Sequence, residues 1–135
     1  MNSNDQTNQD ATQQLSIVAA GVIKRESVYL GHDSPRTLDL TDICRPQCLA
    51  LEVYGEGMRG AGIMPGDFVI VDPEREEEDG DIVIARADGQ TMIRRIEIRP
   101  NRVRLCPAHY QMWPIEPREI VLLGVVTGVV RKTVR

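Results

Sequence analysis

The chain of 135 residues is short of the residue types that hydrolytic catalysis uses most. No serine follows Ser34, and the only lysines are Lys24 and Lys132. Aromatic residues are also scarce, at one Trp, one Phe and three Tyr. A core cannot be built from rings and must consist of Val, Ile, Leu and Ala, and the β-branched members of this set favour strands.

Other features that the sequence lacks concern the cellular compartment of the protein. The chain has no run of about 18 apolar residues that could form a membrane helix. Its first 14 residues lack the charged and then apolar order of a secretory signal. Three cysteines, an odd number, fit free thiols in a reducing compartment. We therefore expect a cytoplasmic protein with no membrane partner.

The charge pattern bears on a further class of partner. The net charge is −4 and the arginines are scattered, so no basic tract indicates direct DNA binding. The densest charged run, residues 74–81, is acidic. We interpret it as a solvated turn between strands.

Apolar β-branched runs separated by turn residues predict an all-β domain. The predicted strands are residues 49–53, 68–72, 81–86, 91–99, 103–106 and 120–130. Asp79-Gly80 and Asp88-Gly89 predict tight turns between them. One helical turn is expected at residues 41–44, where Pro46 would stop it.

The N-terminal part of the chain has a different composition. Residues 1–14 contain one Met and no other large apolar side chain, which predicts a disordered tail. We expect residues 15–36 to form an extended arm and residues 37–135 to form the folded domain. The tail is too short for a helix-turn-helix domain.

A glycine-rich segment at residues 53–67 is the centre of the domain, because five glycines in 15 residues exclude a helix or a central strand. The flanking motifs are VYGEGM at 53–58, GIMPGDFVIVD at 62–72, GDIVIAR at 80–86, TMIRR at 91–95 and LCPAHYQMWPI at 105–115. In this order they resemble the self-cleaving LexA, UmuD and phage-repressor family of serine peptidases. The resemblance covers residues 15 to about 131 and implies a signal-peptidase-like, coiled and partly barrel-like sheet with a flexible N-terminal arm.

The resemblance places both members of the family's catalytic dyad at altered positions. The nucleophilic serine falls at Gly57, and the general-base lysine falls at Arg94, 37 residues later. Glycine offers no nucleophile, and arginine keeps its proton because its pKa stays above about 12. The other residues that the resemblance assigns to the cleft loop are Gly55, Glu56, Met58, Gly62, Gly66 and Asp67. We expect Arg94 to pair with Glu56 or Asp67.

No replacement chemistry is evident. Thr91 is on the strand of Arg94, but a separation of three residues puts the two on opposite faces. Cys48 lies near the loop without a supporting motif. Zinc ligands could come from Cys44, Cys48, Cys106 and His109. We favour free, small apolar cysteines over zinc, and expect no cofactor or metal.

The Val-Ala-Ala-Gly segment in the arm resembles the family's scissile sequence, with the bond at Ala20–Gly21. Small residues would let a nucleophile approach the carbonyl. A plain strand of small residues is the alternative. Cleavage would have to come in trans from an active relative, or the arm would stay in the old cleft as an added strand.

Two features bear on association. Tyr110, Met112 and Trp113 form the main aromatic cluster, which we interpret as packing, with a partner surface as the alternative. The apolar run 120–130 is long for a free edge strand and would benefit from being covered. The resemblance implies a dimer to which the last strands contribute.

These observations predict a catalytically inactive LexA/UmuD-like protein, closest in layout to UmuD, that acts by protein binding in the bacterial SOS response, mutagenesis or phage regulation. Expected partners are a second copy or an active paralogue, then an error-prone DNA polymerase subunit or the RecA filament. The alternatives are an active self-cleaving polymerase subunit and a regulator that titrates a repressor by mixed dimerisation.

Overall fold

A computed structural model describes residues 14–15, 26–27 and 38–134. The chain divides into two compact units, Met1–Asp39 and Leu40–Arg135. In the first unit, strand β1 (Gln14–Leu15) pairs antiparallel with β2 (Glu26–Ser27). Gln14, which the composition placed in the tail, is therefore in a strand. The rest of the predicted tail and the Ala20–Gly21 bond lie outside the described residues.

The second unit is one six-stranded antiparallel sheet, which confirms the all-β prediction. Its strands are β3 (Leu49–Glu52), β4 (Phe68–Asp72), β5 (Ile82–Ala87), β6 (Gln90–Arg99), β7 (Arg102–Cys106) and β8 (Ile120–Val130). The spatial order is β3-β4-β8-β5-β6-β7. Two short 3-10 turns, Leu40–Asp42 and Arg59–Ala61, are the helical elements of residues 38–134. Within that range no helix has the length and apolarity of a membrane span.

Turn chemistry fixes the hairpin that carries β5 and β6. Asp88 and Gly89 both have positive φ, 49° and 86°, as a two-residue type I′ turn requires. The turn pairs Ala87 with Gln90 and sets the register that places Arg94 opposite Val83. Further upstream, residues 74–81 form the mostly exposed connection between β4 and β5, as predicted.

The prediction that residues 120–130 need an external cover is wrong. Strand β8 lies in the middle of the sheet, between β4 and β5, and so has no free edge. Its apolar length is explained by the two neighbours that it pairs with. Gly124 lets β8 approach β4 closely, since a Cβ there would lie 3.0 Å from the Asp72 carbonyl oxygen.

The buried side chains form two clusters on the sheet. One cluster includes Met58 and Ile63 from the glycine-rich loop, packed with Val69, Val71 and Ile93. The other is centred on β5 and β7, with Val83, Ala85 and Leu105 fully buried. Because two of its own side chains are in the core, the loop is held as a fixed part of the fold.

Candidate functional site

The glycine-rich loop is closed at its base by backbone hydrogen bonds. The Val53 N–H donates to the Asp67 carbonyl at 2.8 Å, and the Gly66 N–H donates to the Val53 carbonyl at 2.7 Å. The loop also docks on the segment after β7. There the Ala108 N–H donates to the Gly57 carbonyl at 2.7 Å, and the Gly60 N–H donates to the Ala108 carbonyl.

A buried carboxylate, Asp67, holds the loop to the end of the sheet. Its oxygens accept bonds from Arg131 Nε at 2.7 Å, from Arg131 Nη2 at 2.8 Å and from the Met64 N–H at 2.8 Å. The Arg131 hydrogen bond, followed by that from Met64, lowers the pKa of Asp67 to about 2. The sequence does not indicate that Arg131 pairs with Asp67, because 64 residues separate the two and no motif links them.

The structure brings together Gly57 and Arg94, the two positions that the resemblance assigns to a catalytic dyad. A Cβ built on Gly57 would lie 2.7 Å from Cζ and 3.0 Å from Nη2 of Arg94. The guanidinium of Arg94 therefore fills the space that a side chain at position 57 would occupy. Carbon and nitrogen atoms do not normally approach this closely without a bond, so a larger residue at 57 would have to displace Arg94.

The prediction that Arg94 pairs with Glu56 or Asp67 is wrong. Asp67 is taken by Arg131, and Glu56 forms an exposed pair with its near neighbour Arg59. Arg94 donates instead from Nη1 to the Ile93 carbonyl at 2.6 Å. Burial lowers the pKa of the half-buried Arg94 guanidinium.

The other residues considered for chemistry do not gather at one place, since Cys44 and Cys48 line a surface pocket before β3 whereas Thr91 and Cys106 are on β6 and β7. Thr91 is exposed near the start of β6, and Cys44 is exposed in the segment before β3. Cys48 and Cys106 are free and half-buried, and burial raises the pKa of the Cys106 thiol. Across residues 38–134, no three His, Cys, Asp or Glu side chains come together as a metal site.

An apolar groove of about 210 Å³ lies beside the loop. Its lining residues are Leu51, Glu52, Val53, Tyr54, Val69, Ile84, Thr91, Met92 and Ile93. Val53 and Tyr54 lead into the segment that carries Gly57, and Ile93 immediately precedes Arg94. Gly57 and Arg94 themselves are not among the lining residues of the groove.

The aromatic cluster after β7 does not pack in the core. Tyr110 and Trp113 are 91% and 83% exposed, so the packing interpretation is wrong for both. The Tyr110 ring stacks on His109, with centroids 5.3 Å apart. Large exposed rings beside one another are typical of interaction surfaces.

Comparison with known proteins agrees with this arrangement of strands and loop. The sequence profile described as Peptidase S24-like matches residues 13–127, which include both Gly57 and Arg94. The LexA repressor of Anaeromyxobacter sp. (strain Fw109-5) is 41% identical over 87 residues, which are 61% of this chain and 38% of that protein. The LexA repressor of Desulforamulus reducens is 38% identical over 82 residues, again 61% of this chain and 38% of that protein.

A relative of more similar length matches as well. Protein SamA of Salmonella typhimurium is 34% identical over 99 residues, which are 71% of this chain and 70% of that protein. By contrast, the matched region spans only about 38% of the LexA repressors. Since the profile covers most of the sequence and SamA is matched over most of its length, the chain belongs to the Peptidase S24-like family.

Proposed function

We propose that this protein is a non-cleaving member of the Peptidase S24-like family that acts by binding other protein chains. The observation that carries the proposal is the position of the Arg94 guanidinium, against the place where a nucleophilic side chain at Gly57 would project. The cleft loop, Gly57 and Arg94 are accordingly proposed as a degenerate catalytic site.

The chemistry of the two residues supports inactivity. Acyl transfer by a hydroxyl and an amine needs an atom that attacks and a neutral base that accepts its proton. Gly57 has no such atom. Burial lowers the pKa of Arg94, but arginine still does not lose its proton in proteins near neutral pH. The closure of the loop by Asp67 and Arg131 needs neither residue, so the fold can persist without catalysis.

Two surface features support binding as the activity. Tyr110 and Trp113 are exposed three residues apart in sequence, and β3 is an edge strand of the described sheet with exposed Leu49 and Leu51. Edge strands offer unpaired backbone groups to another chain. We propose a dimer with a second copy or with an active family member as the first mode of association.

The cellular setting is proposed from the relatives. Several of them are named LexA repressor, and SamA is matched over most of its length. We propose a role in the bacterial DNA-damage response or in mutagenesis, in the cytoplasm. Further partners would be an error-prone polymerase subunit or the RecA filament, and mixed dimerisation with a repressor would titrate that repressor.

The test of inactivity uses the purified full chain. It is incubated at alkaline pH, alone and with RecA filaments, and its intact mass is followed. The expected result is an unchanged chain under both conditions. A fragment that begins at Gly21 would contradict the proposal. An active family member added in the same assay reports cleavage in trans, which would show a product only in that mixture.

The test of association compares the native chain with Trp113→Ala by light scattering after gel filtration. Trp113 is exposed, so its removal should leave the free energy of unfolding within about 0.5 kcal/mol. The expected result is a dimer of the native chain or a mixed dimer with a co-purified LexA-type chain. A monomer that ignores both would contradict binding through these surfaces.

A further inference from the structure

Two of the three cysteines lie on one short turn before β3. Cys44 is exposed and Cys48 is half-buried, and both line one open surface pocket of about 570 Å³. Within residues 38–134 no third His, Cys, Asp or Glu joins them to complete a metal site. The chemistry open to the pair is therefore that of two neighbouring thiols.

Backbone hydrogen bonds fold this turn so that its two ends meet. The Cys48 N–H donates to the Arg45 carbonyl at 2.9 Å, and the Cys44 N–H donates to the Leu40 carbonyl at 2.8 Å. The Cys48 sulfur lies 3.9 Å from the Ile43 carbonyl oxygen. Since that carbonyl belongs to the peptide group that joins Ile43 to Cys44, the Cys48 sulfur lies against the backbone of Cys44.

Side-chain contacts anchor the turn to the sheet at two points. Gln47 Nε2 donates to both carboxylate oxygens of the buried Asp72 at 3.2 Å, and the Thr127 hydroxyl donates to the Ile43 carbonyl. These contacts hold the backbone that carries the two thiols.

The span of the turn suits a covalent bond between the cysteines. A hydrogen-bonded turn brings its first and last Cα atoms within about 7 Å, and a disulfide spans about 4.4–6.8 Å between its Cα atoms. Cys48 is the last residue of the turn that begins at Arg45, and Cys44 immediately precedes it. Because Cys44 is exposed, its side chain can rotate towards Cys48 without displacing core residues.

We infer that Cys44 and Cys48 form a redox modification site, which a low-molecular-weight disulfide of the glutathione class oxidises to an intramolecular disulfide. The Cys44 thiolate attacks one sulfur of the small disulfide and releases one molecule of thiol. Cys48 then gives its proton to water and attacks the Cys44 sulfur, which releases the second molecule of thiol. The protein loses two electrons and two protons, and the small disulfide becomes two thiols.

The setting of Cys106 is a contrast within the same chain. This thiol is half-buried on β7, and it is not among the residues that line the pocket of Cys44 and Cys48. Burial raises the pKa of Cys106, and the thiolate is the form that attacks a disulfide. Disulfides in reducing compartments are mostly transient and redox-sensing. The inference is independent of the proposed function, because neither Gly57 nor Arg94 takes part.

The experiment incubates the reduced full chain with oxidised and reduced glutathione at a series of ratios. Free thiols are trapped with N-ethylmaleimide, and the intact mass is measured. We expect a product that has lost two of its three free thiols and carries no glutathione. One tryptic peptide, residues 37–59, contains both cysteines of the pair, because trypsin does not cut before Pro46. It should be recovered without N-ethylmaleimide, whereas Cys106 should carry the label.

Three serine variants separate the roles of the thiols. Cys106→Ser is the matched control and should form the disulfide as the native chain does. Cys48→Ser should stop at a mixed disulfide between glutathione and Cys44, because the thiol that resolves it is absent. Cys44→Ser should form no intramolecular disulfide.

A native chain that retains all three free thiols at the most oxidising ratio would overturn the inference, as would one that keeps glutathione on Cys44. A bond from Cys44 or Cys48 to Cys106, or to a second copy of the chain, would also overturn it. If a serine variant does not fold, the peptide map of the native chain decides alone.

Discussion

Arg131 and Arg94 both contact the glycine-rich loop, but they differ in their hydrogen-bond partners. Arg131 follows the central strand β8 and is forked on the buried carboxylate of Asp67. Arg94, on β6, lies against Gly57 and, among the residues that the structure describes, has a backbone carbonyl of its own strand as its one acceptor. Hydrogen bonding to Asp67 raises the pKa of Arg131, whereas burial lowers the pKa of Arg94.

The comparison distinguishes an arginine that stabilises the glycine-rich loop, Arg131, from one that contacts the loop without a charged partner in residues 38–134, Arg94. The Arg131 pair satisfies a buried charge and fixes the base of the loop, which is a structural task. Arg94 leaves most of its donors unused within residues 38–134, which is an unusual state for a half-buried cation. Changes at the two arginines should therefore have separable consequences, and the following predictions test this from the largest effect to the smallest.

Restoring both dyad members should have the largest effect. In the variant Gly57→Ser with Arg94→Lys, the serine supplies the attacking oxygen and the lysine removes the guanidinium that occupies its space. A positioned general base contributes about 10²- to 10⁴-fold in rate. We expect cleavage at Ala20–Gly21 at least about 100-fold above the native chain, measured by mass spectrometry.

Gly57→Ser alone is the control for this variant. It should stay uncleaved, because Arg94 cannot act as a base. An uncleaved double variant that folds like the native chain would contradict the assignment of these two positions.

Adding a single methyl group at position 57 should weaken the fold. In Gly57→Ala the new Cβ would meet the Arg94 guanidinium within 3.0 Å, but this group is the end of a flexible side chain and can move aside, so the loss should be about 1 kcal/mol, at the lower limit of what overpacking costs in a core. Urea unfolding measures the loss. Gly55→Ala is the matched control, since a Cβ there has no neighbour within 4 Å, and it should change stability by no more than about 1 kcal/mol.

Combining Gly57→Ala with Arg94→Ala should recover most of the lost stability, because the clashing group is then absent. Additive losses in the double variant would mean that the two side chains do not compete for one space.

At acid pH, the change of the free energy of unfolding with pH should depend on Asp67 and not on Arg94. The pKa of Asp67 falls from its ordinary 3.8 to about 2 in the folded state. A lowered pKa adds stability above pH 3.8, and this is lost as the pH falls towards 2. Asp67→Asn should reduce the slope between these values in pH-dependent unfolding, and the remaining slope should come from groups such as Asp79 and Glu97, whose pKa values hydrogen bonds also lower.

Arg94→Gln is the matched change on the other arginine. It should leave the slope between pH 4 and pH 2 as in the native chain, because no carboxylate of the described residues pairs with Arg94. A slope reduced as much as in Asp67→Asn would mean that the two arginines are not separable.

The smallest effect is expected for an ion pair within the loop, between Arg59 and Glu56. Arg59 and Glu56 form a pair in which both side chains are more than half exposed. Exposed pairs contribute about 0–1 kcal/mol and are weakened by salt. Glu56→Gln should change the free energy of unfolding by less than about 1 kcal/mol. A larger loss would show that the surface pair also holds the loop.

Much of the strand pattern was predictable from local chemistry. The bounds of β4 and β8 match the predicted runs 68–72 and 120–130, because apolar β-branched residues end there at turn residues or charge. The Asp88-Gly89 turn followed from residues that accept positive φ. The place of β8 between β4 and β5 did not follow, since long-range pairing leaves no local mark.

The sequence predicted which residues belong to the candidate site, but it did not predict which residues they contact. The resemblance to the peptidase motifs pointed to Gly57 and Arg94, and the structure brings the two residues together. The partners expected for Arg94 were wrong because Asp67 is bonded to Arg131, 64 residues away. Tyr110 and Trp113 were expected to pack, but aromatic rings carry no sequence signal that separates a core from an interface.

The sequence by itself predicted the strands and the glycine-rich loop, and it has glycine and arginine at the two positions that the resemblance assigns to a catalytic dyad, because these depend on residue type and on neighbours along the chain. Only the tertiary structure decided that Arg94 fills the space at Gly57, that Arg131 pairs with Asp67, and that residues of β3, β4, β5 and β6 line an apolar groove. Each of these depends on segments brought together by sheet pairing, and the energy of such contacts depends on distance in space and not on separation in sequence.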